Sequence, residues 1–195
     1  MRRLLALVAL VVLVLLVLLV CLGCEGPVAL QTVKPKPARR ELPTVNVPAP
    51  DRQKNWLGNQ REGSCVWAST VSLLRWQGRY HTAAWIRQNY GNGEYPEHWM
   101  QLADKIGIRY AMTTSGDVKF LEWACKTRRG AGVTVMGGAH MVCLVYLDDK
   151  WAALLDNNRV DKFIWVPRNT FVAEWKASYG WALTPVYTPA APLPQ

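Results

Sequence analysis

The sequence predicts an α+β fold in which an N-terminal helical half packs on an antiparallel sheet. Two observations support this prediction. Apolar residues recur at helical spacing through the first half of the domain, whereas short apolar runs separated by Gly, Asp and Asn turns fill the second half. Helices that precede the strands, rather than alternate with them, are typical of α+β domains.

The chain opens with a positively charged start and a long apolar run. Met1-Arg2-Arg3 precedes residues 4–22, which are almost wholly Leu, Val and Ala. This run is close to membrane-spanning length, and the arginines favour a cytoplasmic N-terminus. Its end, Gly23-Cys24, resembles a bacterial lipoprotein processing site with Cys24 as the lipidated residue. We therefore expect residues 1–24 to export the chain, as a lipoprotein signal, an uncleaved anchor or a cleaved signal peptide, and to place the domain outside the cytoplasm.

Residues 25–50 are rich in proline and carry little periodic apolar pattern. Such a segment is typical of an extended tether, which here would hold the domain off the membrane. The prolines are Pro27, Pro35, Pro37, Pro43, Pro48 and Pro50. The domain itself is predicted to span residues 51–187, and residues 188–195 form a proline-rich tail.

Within the domain, the first predicted helix covers residues 65–77 and begins at a cysteine. Val66, Leu73 and Leu74 lie at helical spacing, and Ser64 is a candidate N-cap. Further helices are predicted at 81–90, 96–106, 117–128 and 169–179, where Gly107 and Gly130 end the third and fourth. Strands are predicted at 109–113, 132–136, 140–147, 151–155, 162–166 and 181–187.

Charge and cysteine usage exclude several classes of protein. The net charge is +9, but the basic residues are dispersed and only Arg128 and Arg129 are adjacent in the domain, so we expect no nucleic-acid partner. The spacing of cysteines and histidines fits no zinc site, and we expect neither metal nor cofactor. Of the domain cysteines, Cys125 and Cys143 are able to pair as a disulfide and leave Cys65 free. The ten tryptophans are expected either to fill the core or to line a groove.

Cys65 is the candidate nucleophile. A thiol at the start of a helix lies near the positive end of the helix dipole and near unpaired backbone N–H groups, which favour the reactive thiolate. Such a nucleophile needs a base, and the base needs an orienting group. His140 begins a strong strand after Gly137-Gly138, whereas His81 and His98 lie in helices.

The remaining parts of the candidate site follow from chain geometry. The second strand of a hairpin returns beside the start of the first, so Asp156 is expected next to His140, with Asn157 as the alternative if the register differs by one residue. Gln60, in the loop before Cys65, is a candidate oxyanion donor together with the Cys65 N–H group.

This ordered set resembles the papain-like cysteine peptidases, and most closely the compact bacteriocin-processing (double-glycine leader) peptidase-like domains. Gln60, Gly63-Ser64-Cys65-Val66-Trp67-Ala68-Ser69, His140-Met141-Val142-Cys143-Leu144-Val145 and Leu155-Asp156-Asn157 carry the resemblance. Phe171, Trp175 and Trp181-Ala182-Leu183 are similar to the family's ending. The resemblance covers about residues 55–187.

The resemblance implies a hydrolase in which Cys65 is the nucleophile, His140 the base, Asp156 the orienting residue and Gln60 the oxyanion donor. Its substrate would be a peptide or protein, cleaved at a peptide or isopeptide bond. The family usually has its glutamine six positions ahead of the cysteine, where this chain has Asn59, so Asn59 is the alternative donor. The family's domains are often fused to an export pump, whereas this domain follows a tether.

Two other functions fit the same residues. The transglutaminase-like fold also places Cys on a helix and then His and Asp on neighbouring strands, as in His140, Trp151 and Asp156. Both chemistries form a thioester from an amide, and they differ in whether water or an amine resolves it. The third possibility is a non-catalytic peptide-binding module with a peptidase fold, in which Cys65 would be an ordinary thiol.

Overall fold

The computed structural model describes residues 42–56, 64–91 and 96–187, and in this part the chain forms five α-helices and one six-stranded antiparallel sheet. The order of the strands across the sheet is β1-β6-β2-β3-β4-β5. The helices are α1 (Cys65–Trp76), α2 (Tyr80–Asn89), α3 (Pro96–Ile106), α4 (Val118–Lys126) and α5 (Arg168–Ala177). The strands are β1 (Tyr110–Thr113), β2 (Ala131–Val135), β3 (His140–Leu147), β4 (Trp151–Leu155), β5 (Ile164–Pro167) and β6 (Ala182–Pro185).

The α+β prediction is confirmed, and local signals in the sequence account for most element boundaries. Helix α4 begins after Asp117, whose carboxylate accepts a hydrogen bond from the Lys119 N–H group at 2.9 Å. Beyond its end, Gly130 adopts a φ of +63°, and a Cβ atom there would lie 2.8 Å from the Leu144 carbonyl oxygen. Glycine is therefore required where the chain turns from α4 into β2.

Helices pack on the sheet, as predicted, and they cover both of its faces. Along β3, Met141 and Cys143 belong to apolar clusters that include residues of α1, whereas Val142 and Leu144 belong to the cluster formed with α4 and α5. Successive side chains of a strand point to opposite faces, so α1 lies on one face and α4 and α5 lie on the other. This explains why β3 reads as a continuous apolar run.

The tryptophans belong mainly to the core. Trp175 donates a hydrogen bond from its indole N–H to the Trp181 carbonyl oxygen at 2.8 Å, and so joins α5 to the start of β6. Of the tryptophans in the described part of the chain, only Trp85 is exposed, at 41%. The buried tryptophans are Trp67, Trp99, Trp123, Trp175 and Trp181.

The packed body begins at Pro43, before the predicted domain start at Asp51. Val47 is only 2% exposed and packs with Leu73 and Cys143. Its carbonyl oxygen accepts hydrogen bonds from Nε and Nη2 of Arg52 at 3.0 and 2.8 Å, and the Trp76 indole N–H donates to the Asn46 carbonyl oxygen at 2.9 Å. The last residues assigned to the tether are therefore part of the domain.

We expect Val47→Ala to lower the free energy of unfolding by about 1–2 kcal/mol, because it removes two buried methyl groups and leaves a cavity over β3. The measurement is urea unfolding of the full-length chain in detergent, followed by tryptophan fluorescence. Thr44→Ala, at an exposed position three residues earlier, is the matched control and should leave the midpoint unchanged. Equal midpoints for Val47→Ala and the unaltered chain would mean that this segment contributes nothing to the folded body.

The predicted leader 1–24, residues 25–41 of the predicted tether and the tail 188–195 lie outside the described residues. Within residues 42–56, 64–91 and 96–187, no helix has the length and apolar character needed to cross a membrane.

Candidate active site

Cys65 is the first residue of α1, as predicted, and it is half-buried. Ser64 precedes the helix, but its side chain does not cap it. Instead the Ser64 hydroxyl donates to Asn55 Oδ1 at 2.5 Å and accepts from the Trp56 N–H group at 3.0 Å, while the Ser64 N–H group donates to the same Asn55 oxygen at 3.0 Å. The Ser64 side chain thus ties the start of α1 to the preceding segment. The N–H groups of the first turn have no partners within the helix, so they and the helix dipole favour negative charge at Cys65.

His140 and Asp156 meet at one end of the β3–β4 hairpin, as predicted. Cys143 pairs with Leu155 in the antiparallel ladder, so the end of β4 lies beside the start of β3. Nε2 of His140 lies 3.0 Å from Oδ1 of Asp156. The same Asp156 oxygen also accepts the Asn158 N–H group at 2.9 Å. The carboxylate is therefore fixed in place, and it orients the imidazole.

The thiol and the imidazole form a coupled pair. Burial alone would raise the pKa of Cys65, but a hydrogen bond with His140, a hydrogen bond from the Met141 N–H group and the charge of the imidazole outweigh it, so the thiol pKa is lowered. Because His140 bonds Asp156 through Nε2, its Nδ1 is the ring nitrogen left for the Cys65 sulfur.

The charges on the other two residues fit this pairing. Burial would lower the pKa of His140, but its hydrogen bonds with Asp156 and Cys65 raise that pKa to about 9. The hydrogen bond from His140 lowers the pKa of Asp156 against the opposing effect of burial. The lowered pKa of Cys65, the raised pKa of His140 and the lowered pKa of Asp156 all favour the charged form of their side chain, namely thiolate, imidazolium and carboxylate.

The other two cysteines of the described residues differ from Cys65. Cys125 and Cys143 are free thiols, so the disulfide considered from the sequence is not formed. They lie on opposite faces of the sheet, since Cys143 packs with Leu73 of α1 and Cys125 packs with the α4–α5 cluster. Burial raises the pKa of Cys125, and it raises that of Cys143 to about 12. Both are expected to react slowly.

Asn157 does not orient His140, but it contacts the site in another way. Its side-chain amide nitrogen lies 3.2 Å from the Cys65 carbonyl oxygen, 3.1 Å from the Ser69 hydroxyl and 2.8 Å from the Met141 carbonyl oxygen. The sequence offered Asn157 only as an alternative to Asp156. The sequence signal at this position is the Asp-Asn-Asn turn after β4, which does not predict the contacts of the Asn157 side chain with α1 and β3.

The two candidate oxyanion donors, Gln60 and Asn59, lie outside the described residues. His81 and His98 are exposed on α2 and α3, whereas His140 contacts Asp156. Among the described residues, no group of three or more His, Cys, Asp or Glu side chains is placed to hold a metal ion.

Comparison with protein-family models, with curated proteins and with solved structures finds no match for this chain. The resemblance to papain-like peptidases therefore remains a prediction. Cys65, His140 and Asp156 contact one another in the order nucleophile, base and orienting residue.

Proposed function

We propose that this protein is an exported, membrane-tethered thiol hydrolase of papain-like type that cleaves peptide or isopeptide bonds. The observation that carries the proposal is the chain of contacts from Cys65 at a helix N-terminus, through His140, to Asp156. Perturbed pKa values at structural ion pairs are common, but here the lowered value belongs to a nucleophile beside a base that a third residue orients.

The chemistry follows from the charge states of the three residues. The Cys65 thiolate attacks the carbonyl carbon of the scissile amide, and the electron pair of the C=O bond moves to the oxygen. The Cys65 N–H group stabilises that oxygen, and Gln60 is the proposed second donor. His140 gives its proton to the nitrogen as the C–N bond breaks, which releases the amine and leaves a thioester on Cys65.

The second half of the reaction restores the enzyme. His140, now neutral, takes a proton from water, and the resulting hydroxide attacks the thioester carbonyl. Breaking the C–S bond releases the carboxylic acid and returns the thiolate–imidazolium pair. Asp156 keeps the imidazole in one orientation through both proton transfers.

The membrane part of the proposal rests on the sequence. The apolar run 4–22, with its flanking arginines and with Gly23-Cys24 at its end, supports export and retention at the membrane through a lipid on Cys24 or an uncleaved anchor. Substrates would then be peptides or proteins on the outer side of that membrane.

The test is incubation of the full-length chain, in detergent micelles, with a mixture of casein-derived peptides in water enriched in the heavy oxygen isotope. We expect new peptide termini, detected by mass spectrometry, with the heavy isotope in each new carboxyl group. A second reaction with added glycine methyl ester distinguishes acyl transfer, since the ester would then appear on the acyl product. Intact peptides together with a slowly alkylated Cys65 would contradict the proposal and favour the binding module.

A further inference from the structure

Asn157 is a buried amide whose donor group faces three oxygen atoms. The residue is only 2% exposed, and its nitrogen lies within hydrogen-bond distance of the Cys65 carbonyl, the Ser69 hydroxyl and the Met141 carbonyl. The Ser69 hydroxyl in turn donates to the Met141 carbonyl oxygen at 3.2 Å. One side chain therefore joins the first turn of α1 to the beginning of β3.

Two of these three oxygens belong to the reacting part of the site. The Cys65 carbonyl is part of the nucleophile's own residue. Met141 follows His140 in β3, and its N–H group donates to the Cys65 sulfur. The distance between the Cys65 and Met141 backbones therefore governs both contacts that stabilise the thiolate, the one with His140 and the one with the Met141 N–H group.

The backbone of Asn157 reinforces the same junction. Its carbonyl oxygen accepts the Asn55 N–H group at 2.8 Å, and the Asn55 side chain holds both the N–H and the hydroxyl of Ser64. The residue before Cys65 and the residue after Asp156 are thus connected through Asn55.

The acceptor half of the Asn157 amide is not used in this way. Its Oδ1 is buried and has no hydrogen-bond partner among the described residues. A buried acceptor without a partner opposes folding. What the residue supplies to the structure is therefore the placement of its donor group.

We propose that Asn157 is a positioning residue that fixes the nucleophile helix α1 against strand β3, and so holds the Cys65 sulfur at His140 and at the Met141 N–H group. The inference rests on the proposed function, since thiol activation is what that placement would serve. Asp156 orients the base, and its neighbour Asn157 sets the distance between base and nucleophile.

Asn157→Asp is the sharpest test, because it replaces the donor by an oxygen of nearly the same size. A carboxylate oxygen would face the carbonyl oxygens of Cys65 and Met141 and would push α1 away from β3. We expect the apparent pKa of Cys65 to rise, and alkylation by iodoacetamide at about pH 6.5 to slow by about tenfold or more, since each unit of pKa changes the thiolate fraction tenfold. The measurement is the rate of Cys65 labelling against pH in the full-length chain, with the labelled cysteine mapped by mass.

Asn158→Asp is the matched control, because it adds the same charge one residue away at an exposed position. We expect its labelling profile to stay within about twofold of the unaltered chain, as exposed charges are well screened. Asn157→Ser retains one donor without a charge, and we expect an intermediate slowing. Among the described residues, the charged groups that act on Cys65 and on Asp156 are His140 and Arg159. Neither these groups nor Asp156 is changed in these variants.

The outcomes separate positioning from stability. If the thermal midpoint falls but the labelling profile of the folded Asn157→Asp chain superimposes on that of the unaltered chain, Asn157 is merely structural and the proposal is overturned. An equal shift in Asn158→Asp would assign the effect to charge and would also overturn it. Should Asn157→Asp not fold, the Asn157→Ser profile decides in the same way.

Labelling with iodoacetamide needs no peptide substrate, so this test is independent of the proposed cleavage reaction. A chain that cleaves no peptide but shows the Asn157 shift would retain the positioning role and lose the proposed function.

Discussion

Replacing Cys65 by alanine is expected to abolish cleavage of the casein-derived peptides, with a loss of about 10⁴-fold or more. The alanine side chain has no atom that attacks the scissile carbonyl, and the remaining groups supply only binding and oxyanion stabilisation. Folding should be retained, because Cys65 is half-buried and the helix starts at the same residue without its sulfur. The measurements are the rate at which new termini appear and the thermal midpoint of each chain.

Cys125→Ala is the control for this experiment, since it makes the same substitution at a half-buried thiol on the other face of the sheet. Burial raises the pKa of that thiol, and we expect the variant to keep the cleavage rate of the unaltered chain. Cleavage by Cys65→Ala at a comparable rate would remove Cys65 from the mechanism, whatever the stability of the variant.

The second large effect is expected from His140→Ala, which should slow alkylation of Cys65 at about pH 6.5 by about tenfold or more. The hydrogen bond and charge of His140 lower the thiol pKa, whereas burial raises it. Without the imidazole the opposing effect of burial remains, so the pKa must rise. The rate of labelling against pH, between about pH 5 and pH 10, should shift toward higher pH, because less thiolate is present at each pH below the new pKa.

His81→Ala serves as the control, since it removes an exposed imidazole from α2. Its profile should coincide with that of the unaltered chain. If His140→Ala also coincides, then His140 does not activate Cys65 and the two residues are not a catalytic pair. Since alkylation needs no peptide substrate, this experiment reports on activation of the Cys65 thiol alone.

Much of the fold and of the described site is predictable from the sequence, because the signals are local. The period of apolar residues places α1, and the turn residues on either side of β3 and β4 bound the hairpin that carries His140 and Asp156. The choice between Asp156 and Asn157 is not local. The register of β3 and β4 shifts by one residue between Leu144 and Tyr146, and such an irregularity decides which residue reaches the histidine.

Other features depend on tertiary contacts that leave no pattern in the sequence. Val45 and Val47 are separated by one polar residue and flanked by prolines, and two apolar residues are too short a pattern to indicate burial. Ser64 stands at the N-cap position of α1, but its hydroxyl donates a hydrogen bond to Asn55 and does not cap the helix. The helices on the second face of the sheet were predicted as elements, yet their placement follows only from the packed structure.

The nucleophile and the groups that activate it come from distant parts of the chain. Cys65 begins α1, whereas His140 and Met141 lie in β3 and Asp156 follows β4. During synthesis the thiol is made long before its partners, and it keeps an ordinary pKa until β3 closes against α1. A nascent or unfolded chain therefore carries a slowly reacting cysteine, and reactivity arises together with the native structure.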